Sequence, residues 1–330
     1  MSKFFEEIFE QPKALRDTVQ FNIAQEFQRN GKPYLFTGMG SSLAASELVV
    51  SYLNNHGINA VAIDNSELLH YQTPILDQYQ VIVVSQSGES IEARELISRY
   101  PNVSVVTNTH GSTAATLARQ VFYTSAGEEK AIASSKSFTT TAALLLLIGS
   151  RIAGREVVAG LLNAANVIEN ELSNATVYRK GIGEFLDPLR PLVLLGRGPS
   201  VYTARQGSLT LKETARMYAE GMSAAQFRHG PFELIKENLQ AIFFNPKGVT
   251  YELNRQYVLE MARLGAKVLY FSDQPLEHER IYSLVIPSVD EFLSVIPYSL
   301  VVQLAAVELS ARRGLVAGEA QLISKVTGRE

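Results

Sequence analysis

Apolar and polar positions along the chain follow two periods in turn. Short β-branched runs read as buried strands: "PYLFTGMG" from Pro33, "NAVAID" from Asn59, "QVIVVS" from Gln80, "VSVVTN" from Val103 and "VFYTS" from Val121. Between them lie stretches with helical spacing, "SSLAASELVVSYLNN" from Ser41 and "SIEARELISRY" from Ser90, and then a long apolar helix from about Ser137 to Ala153. Strands alternating with helices predict βαβ units, a parallel sheet covered by helices. The greasiest run, Ala142–Gly149, is shorter than the roughly 20 residues a bilayer span needs, so it reads as a central buried helix.

The plan then repeats. "GMGSS" (Gly38–Ser42) matches "GRGPS" (Gly196–Ser200) 158 positions on, and "VIVVSQSG" (Val81–Gly88) matches "AIFFNPKG" (Ala241–Gly248) 160 positions on. "VSVVTN" has its counterpart in "VLYFSD" from Val268. Matches in one order at nearly one offset point to an internal duplication. The expected organisation is a first α/β domain over 20–155, a connecting helix over 156–187 and a second domain over 188–330 that ends in a tail.

Composition narrows the function classes. With 46% apolar and 19% charged residues in 330, the chain is expected to build a globular core. A net charge of −3 without a basic block argues against nucleic acid or a membrane surface as partner. There is no cysteine, which excludes disulfides and thiolate chemistry in this chain. The opening "MSKFFEEIFEQPKAL" carries acids and does not read as a signal peptide, so a cytoplasmic location is expected. The five histidines show no H-x-x-x-H spacing, and neither metal nor cofactor is called for.

The candidate chemistry sits where strands end. "SQSGES" (Ser85–Ser90) follows the third apolar run and leads into a helix, so backbone N–H groups and a helix N-terminus converge there. Ser85, Ser87 and Ser90 add hydroxyls and Gln86 an amide, while Ser41 and Ser42 offer more from the neighbouring turn. No Walker lysine pattern or G-x-G-x-x-G is present, so a monophosphate suits the site better than a nucleotide. A turn with Ser87 or Ser90 as plain helix cap is the alternative. In the second half Pro246 replaces a backbone donor, and that copy is expected to have lost its ligand. A second dense stretch, "QGSLTLKETARMYAEGMSAAQFRHGPFELI" from Gln206, reads as helix from Val201 to Glu220 and carries Glu213, with His229 in the break that follows. A carboxylate and an imidazole near a sugar phosphate would suit proton transfer.

Taken in order, "GMGSS", "SQSGES", "AGEEKAIASSKSFTT", "GRGPS…LKE", "FRHGP" and the terminal "LISKVTGRE" resemble the tandem sugar-isomerase (SIS) domains of the isomerase half of glucosamine-6-phosphate synthase, and the related deaminases. The resemblance implies two SIS subdomains, each a flavodoxin-like three-layer α/β/α sandwich. It implies that Ser42, Ser85, Gln86, Ser87 and Ser90 hold a phosphate and that Ser134 lies near the sugar. Glu213 would shuttle the C1–C2 proton, and His229 would open the ring from the partner subunit of a homodimer. Lys325 would close over the open-chain sugar, and Lys136 would be structural. The chain departs from the family pattern at Thr210, Gln206 and Gln321, where charged residues are usual, and this is expected to strip charge from the sugar end of the site. Without a cysteine nucleophile the expected chemistry is isomerisation or deamination of an aminosugar phosphate such as glucosamine 6-phosphate. A fructosamine-phosphate deglycase and a non-catalytic sugar-phosphate sensor are the alternatives.

Overall fold

The computed structural model of the chain describes residues 2–326. Helices α1 (Lys3–Phe9) and α2 (Gln11–Asn22) precede β1 (Tyr34–Gly38) and α3 (Ser41–Asn55). Then come β2 (Ala60–Asp64), α4 (Asn65–Tyr71), β3 (Gln80–Val84), α5 (Ile91–Arg99), β4 (Ser104–Thr107), α6 (Thr113–Leu117), β5 (Gln120–Tyr123) and α7 (Lys136–Ala153). Helices α8 (Val158–Leu172) and α9 (Ala175–Phe185) follow, so the stretch read as one connecting helix holds two. The second half comprises β6 (Leu192–Gly196), α10 (Ser200–Ala215), β7 (Ala219–Ser223), α11 (Ala224–Arg228), β8 (Gln240–Asn245), α12 (Tyr251–Arg263), β9 (Lys267–Ser272), β10 (Ile281–Val285) and α13 (Val295–Arg312).

Both sheets are parallel and have five strands, in the orders β2-β1-β3-β4-β5 and β10-β9-β8-β6-β7. Read from its β7 edge, the second order is the first one again, the 2-1-3-4-5 arrangement of flavodoxin-like folds. The duplication read from the sequence is therefore a duplication of topology. Interior strands β1, β3, β6 and β8 are buried at every residue, because helices cover both faces. This is why they read as continuous apolar runs rather than alternating ones. The edge strands β2, β5, β7 and β10 are only partly buried.

The chain forms two compact units. The first-sheet unit holds residues 10–130, 136–162 and the tail from Gln321. Its core under one face of the sheet includes Leu35, Val83, Leu96 and Val105, and α7, buried at 16 of its 18 positions, packs with α2 and α3. The second-sheet unit holds residues up to Phe9, 131–135 and 163–320. Its core includes Leu195, Phe227, Phe243 and Tyr270, and α13 packs against α9 and α10 as a core helix.

One expectation is corrected. The helix read from Val201 to Glu220 ends at Ala215, where Arg216 turns left-handed (φ 49°, ψ 39°) and donates its N–H to the Leu211 carbonyl. The residues beyond form edge strand β7, which pairs with β6 in the register Leu192↔Ala219. Only Ala219 of β7 is fully buried, so the strand carries no apolar alternation to reveal it.

In each unit a glycine closes the first strand. A Cβ on Gly38 would lie 2.8 Å from Ser42 Cβ and 2.9 Å from the Val84 carbonyl oxygen, and one on Gly196 would lie 2.6 Å from Ser200 Cβ. Gly38→Ala is expected to cost about 1–3 kcal/mol through overpacking against a backbone that cannot yield. Urea unfolding measures this, and a loss within error would show that the turns are free to separate.

Candidate active site

The first site grows from the register of β1 on β3, which pairs Thr37 with Val83 and so ends the two strands side by side. The turns that follow meet at the carboxyl edge of the sheet, and the absence of a side chain on Gly38 lets them close up. Gly40, at φ 52° and ψ −120°, swings the chain into α3, which starts at Ser41 and Ser42. That conformation is one a side chain would strain.

The Ser85–Ser90 turn is held by its own polar groups. The Gly88 N–H donates to both the carbonyl and the Oγ of Ser85, each at 3.2 Å. The Glu89 N–H donates to Ser87 Oγ at 3.1 Å. The Gln86 carbonyl accepts from the Asn108 N–H at 3.0 Å and from Thr107 Oγ1 at 3.2 Å, so the loop after β4 braces the turn. Ser85 and Ser87 thus accept from the backbone and keep their own O–H groups to donate. Ser90 occupies the cap position of α5 but makes no capping hydrogen bond, so the plain-cap alternative does not describe it. Glu89, the one acid of the turn, is engaged by the N–H and hydroxyl of Thr113 at 2.6 and 2.9 Å. The Thr113 N–H, helped by the Thr113 hydroxyl and by Arg94 and opposed by burial, holds the Glu89 carboxyl below the usual range. A hydrogen bond to a charged partner contributes about 1.5–3 kcal/mol, against about 0.5–1.5 for a neutral pair, so several such donors can hold a dianion without a lysine.

Lys325 belongs to the same unit. Its ammonium donates to Glu129 Oε2 at 2.7 Å. The Glu129 side chain is fully buried and also accepts from the N–H of Ser137, at 3.0 Å, and from its hydroxyl. Burial pushes the carboxyl up, but the charge and hydrogen bond of Lys325, with those of Ser137, outweigh it and leave the carboxyl below its ordinary value. Glu129, the partner of candidate Lys325, is a residue that sequence reasoning passed over. It lies in the quoted "AGEEKAIASSKSFTT" stretch, but its partner is 196 positions away. Lys136, expected to be structural, is 2% exposed and paired with Glu10.

The other candidates lie in the second-sheet unit. Glu213 stands in the last turn of α10, part-buried, with Oε2 shielded from solvent. His229 is the exposed residue that ends α11. Ser134, part-buried, lies in the 131–135 segment, which is fastened to this unit by the Ala131 N–H on Glu7 and the Ile132 N–H on the Gly318 carbonyl. Gln206 and Thr210, 3% and 1% exposed, hydrogen-bond to each other at 3.2 Å. They face a small cleft shared with Ser299 and Gln303 of α13. Oppositely charged residues here would form a buried ion pair with a large desolvation cost. The third departure, Gln321, is exposed.

Glu129→Gln is expected to loosen the tail, seen as faster hydrogen exchange over residues 323–326. Because the folded carboxyl is depressed, its contribution is complete above the usual carboxylate range, near 4.3. It fades as pH falls through the lower folded value. Exchange in the tail that stayed unchanged in the variant would show that the pair does not hold it.

The SIS domain family matches residues 29–151 and 188–313, one copy on each sheet. A glutamine–fructose-6-phosphate aminotransferase (isomerizing) of Thermococcus kodakarensis is 30% identical over 93% of this chain and 55% of its own length. The chain thus spans about half the length of the curated relatives it matches. Among solved structures, the C-terminal domain of glucosamine-fructose-6-phosphate aminotransferase from Francisella tularensis superposes with a TM-score of 0.89, at 20% identity, over 97% of this chain and 98% of that one. A glucosamine-6-phosphate deaminase from Thermotoga maritima gives 0.80, at 20% identity, over 99% of each chain. With both sheets matched, the chain belongs to the SIS domain family.

Proposed function

We propose that this SIS protein acts on a hexose monophosphate bearing a 2-amino group, such as glucosamine 6-phosphate, as an isomerase/deaminase. The observation that carries the reading is the Ser85–Ser90 turn, whose hydroxyls remain free to donate once the loop's own bonds are made. Those donors, with Ser41 and Ser42 at the start of α3, suit a phosphate dianion. The names of the relatives, which act on fructose 6-phosphate or glucosamine 6-phosphate, support the same substrate class.

In this reading His229, supplied by the partner subunit of a dimer, transfers the proton that opens the ring. Glu213 then removes the proton from C2 of the aldehyde and returns it to C1, which converts the 2-amino aldose into a C2 ketimine. Water adds to that carbon and ammonia leaves, giving the ketose phosphate. Lys325, steadied by Glu129, covers the open-chain sugar, and Ser134 contacts it. With no cysteine in the 330 residues, the chain itself holds no thiol to release ammonia from glutamine. The neutral Gln206–Thr210 pair favours a second reading, a sensor that binds the sugar phosphate without turnover.

Ammonia release from glucosamine 6-phosphate, assayed beside interconversion of glucose and fructose 6-phosphates, separates the two. Turnover of the aminosugar phosphate is expected, with Glu213→Gln lowering kcat by at least ~100-fold and leaving Kd within a few-fold, as loss of a general base should. Ser87→Ala is expected to weaken binding of every hexose phosphate about equally, roughly 10-fold, since the loss lies at the phosphate. Tight binding with no turnover would establish the sensor, and a fully active Glu213→Gln would remove that residue from the proton path.

A further inference from the structure

The second sheet repeats the geometry of the first cradle, but a side chain fills it. Gly198, at φ 53°, reproduces Gly40 at φ 52°, and Gly196 crowds Ser200 as Gly38 crowds Ser42. The second turn has diverged. Asn245, the counterpart of Ser85, is buried and spends its amide on the Tyr270 hydroxyl and the Tyr251 carbonyl, and Pro246 stands where Gln86 does. Into this space comes Glu291, from the loop before α13. Its Oε2 accepts from the Val249 N–H at 3.3 Å. A Cβ built on Gly248 would lie 2.4 and 2.6 Å from its two carboxylate oxygens, and one on Gly198 3.6 Å from Oε1. One carboxylate therefore lies against both turns at the carboxyl edge of the sheet. Its loop is preformed: Phe292 N–H donates to Asp290 Oδ1 at 2.9 Å, and Ser294 Oγ to the Glu291 carbonyl at 2.6 Å.

The two turns themselves carry further donors, from which Glu291 accepts no hydrogen bond among the described residues. Ser200, the first residue of α10, is 1% exposed, and its Oγ has no hydrogen-bond partner among the described residues. Arg197 lies over the Tyr257 ring at 5.6 Å, with Nε bonded to no described acceptor. Lys247 is exposed in the turn itself. Burial raises the Glu291 carboxyl more than the Val249 N–H lowers it, and neighbouring Asp290 raises it further.

We propose that Glu291 is a built-in anion occupying the second sheet's counterpart of the phosphate cradle, and that withdrawing it uncovers a second site for inorganic phosphate or a phosphate monoester. In the native chain this plug restricts phosphate binding to the first sheet. The proposal rests on the second unit alone and stands apart from the function proposed above.

Titration of inorganic phosphate by calorimetry and ³¹P NMR tests it on wild type, Glu291→Ala and Glu291→Gln. One phosphate per wild-type chain and two per Glu291→Ala chain are expected, with the neutral but equally bulky Glu291→Gln remaining at one. Adding Gly248→Ala to Glu291→Ala puts a methyl where the carboxylate lay and should return the count to one. Glu291→Ala is also expected to melt lower than wild type and to recover more Tm in phosphate than wild type gains. Should it fold poorly, Glu291→Ser leaves the space open and should also bind two. No phosphate on wild type but one on Glu291→Ala would support the plug while removing the first cradle. Equal counts in wild type and both opened variants, with no extra gain in Tm, would overturn it.

Discussion

The close approach of two backbone turns at the end of a parallel sheet is the constraint on which the rest depends. β1 and β3 end side by side, and Gly38 leaves no room for a side chain between Ser42 and the Val84 carbonyl. Two helices therefore begin next to each other, α3 with serines in its first turn and α5 with Ser90 at its cap position. Their partial positive ends, and N–H groups that no earlier turn can satisfy, favour an anion at that spot. The chemistry proposed for the chain needs only that this anion be the far end of a sugar, so that the carbon skeleton is anchored away from the groups that move protons.

The duplication shows how the same backbone can take two roles. Gly40 and Gly198 share one conformation, and Gly38 and Gly196 the same crowding, so the scaffold of the cradle has survived in both sheets. What changed is the side-chain chemistry. In the first sheet serine hydroxyls accept from the backbone and still have a proton to offer. In the second, Asn245 and Lys247 stand where Ser85 and Ser87 do, the asparagine is absorbed by a tyrosine, and a glutamate lies over the glycines. Pro246 alone was reason to expect a lost ligand. The structure adds a physical occupant for the same space.

Much of this was legible in the chain because the interior strands are buried on both faces and so appear as unbroken apolar runs. The serine turn was legible because glycine and hydroxyl residues cluster there beyond what a turn requires. What escaped notice lacked a local signature. Strand β7 follows α10 after a non-glycine left-handed residue, Arg216, and is too exposed to show a pattern. The Lys325–Glu129 pair joins residues far apart in sequence, and Glu129, unlike Lys325 in its terminal motif, looks like an ordinary surface charge until the fold buries it. Gln206 and Thr210 looked like losses from a binding site. In the folded chain they are a neutral hydrogen-bonded pair packed toward α13, with the Gln206 Oε1 left buried and bonded to no described donor.

The most direct test of the central claim is a crystal structure of the chain with glucosamine 6-phosphate. The account predicts the phosphate density at the carboxyl edge of the first sheet, within hydrogen-bonding distance of Ser42, Ser85, Ser87 and Ser90. Ordered sugar phosphate bound elsewhere, with only solvent among those serines, would contradict it.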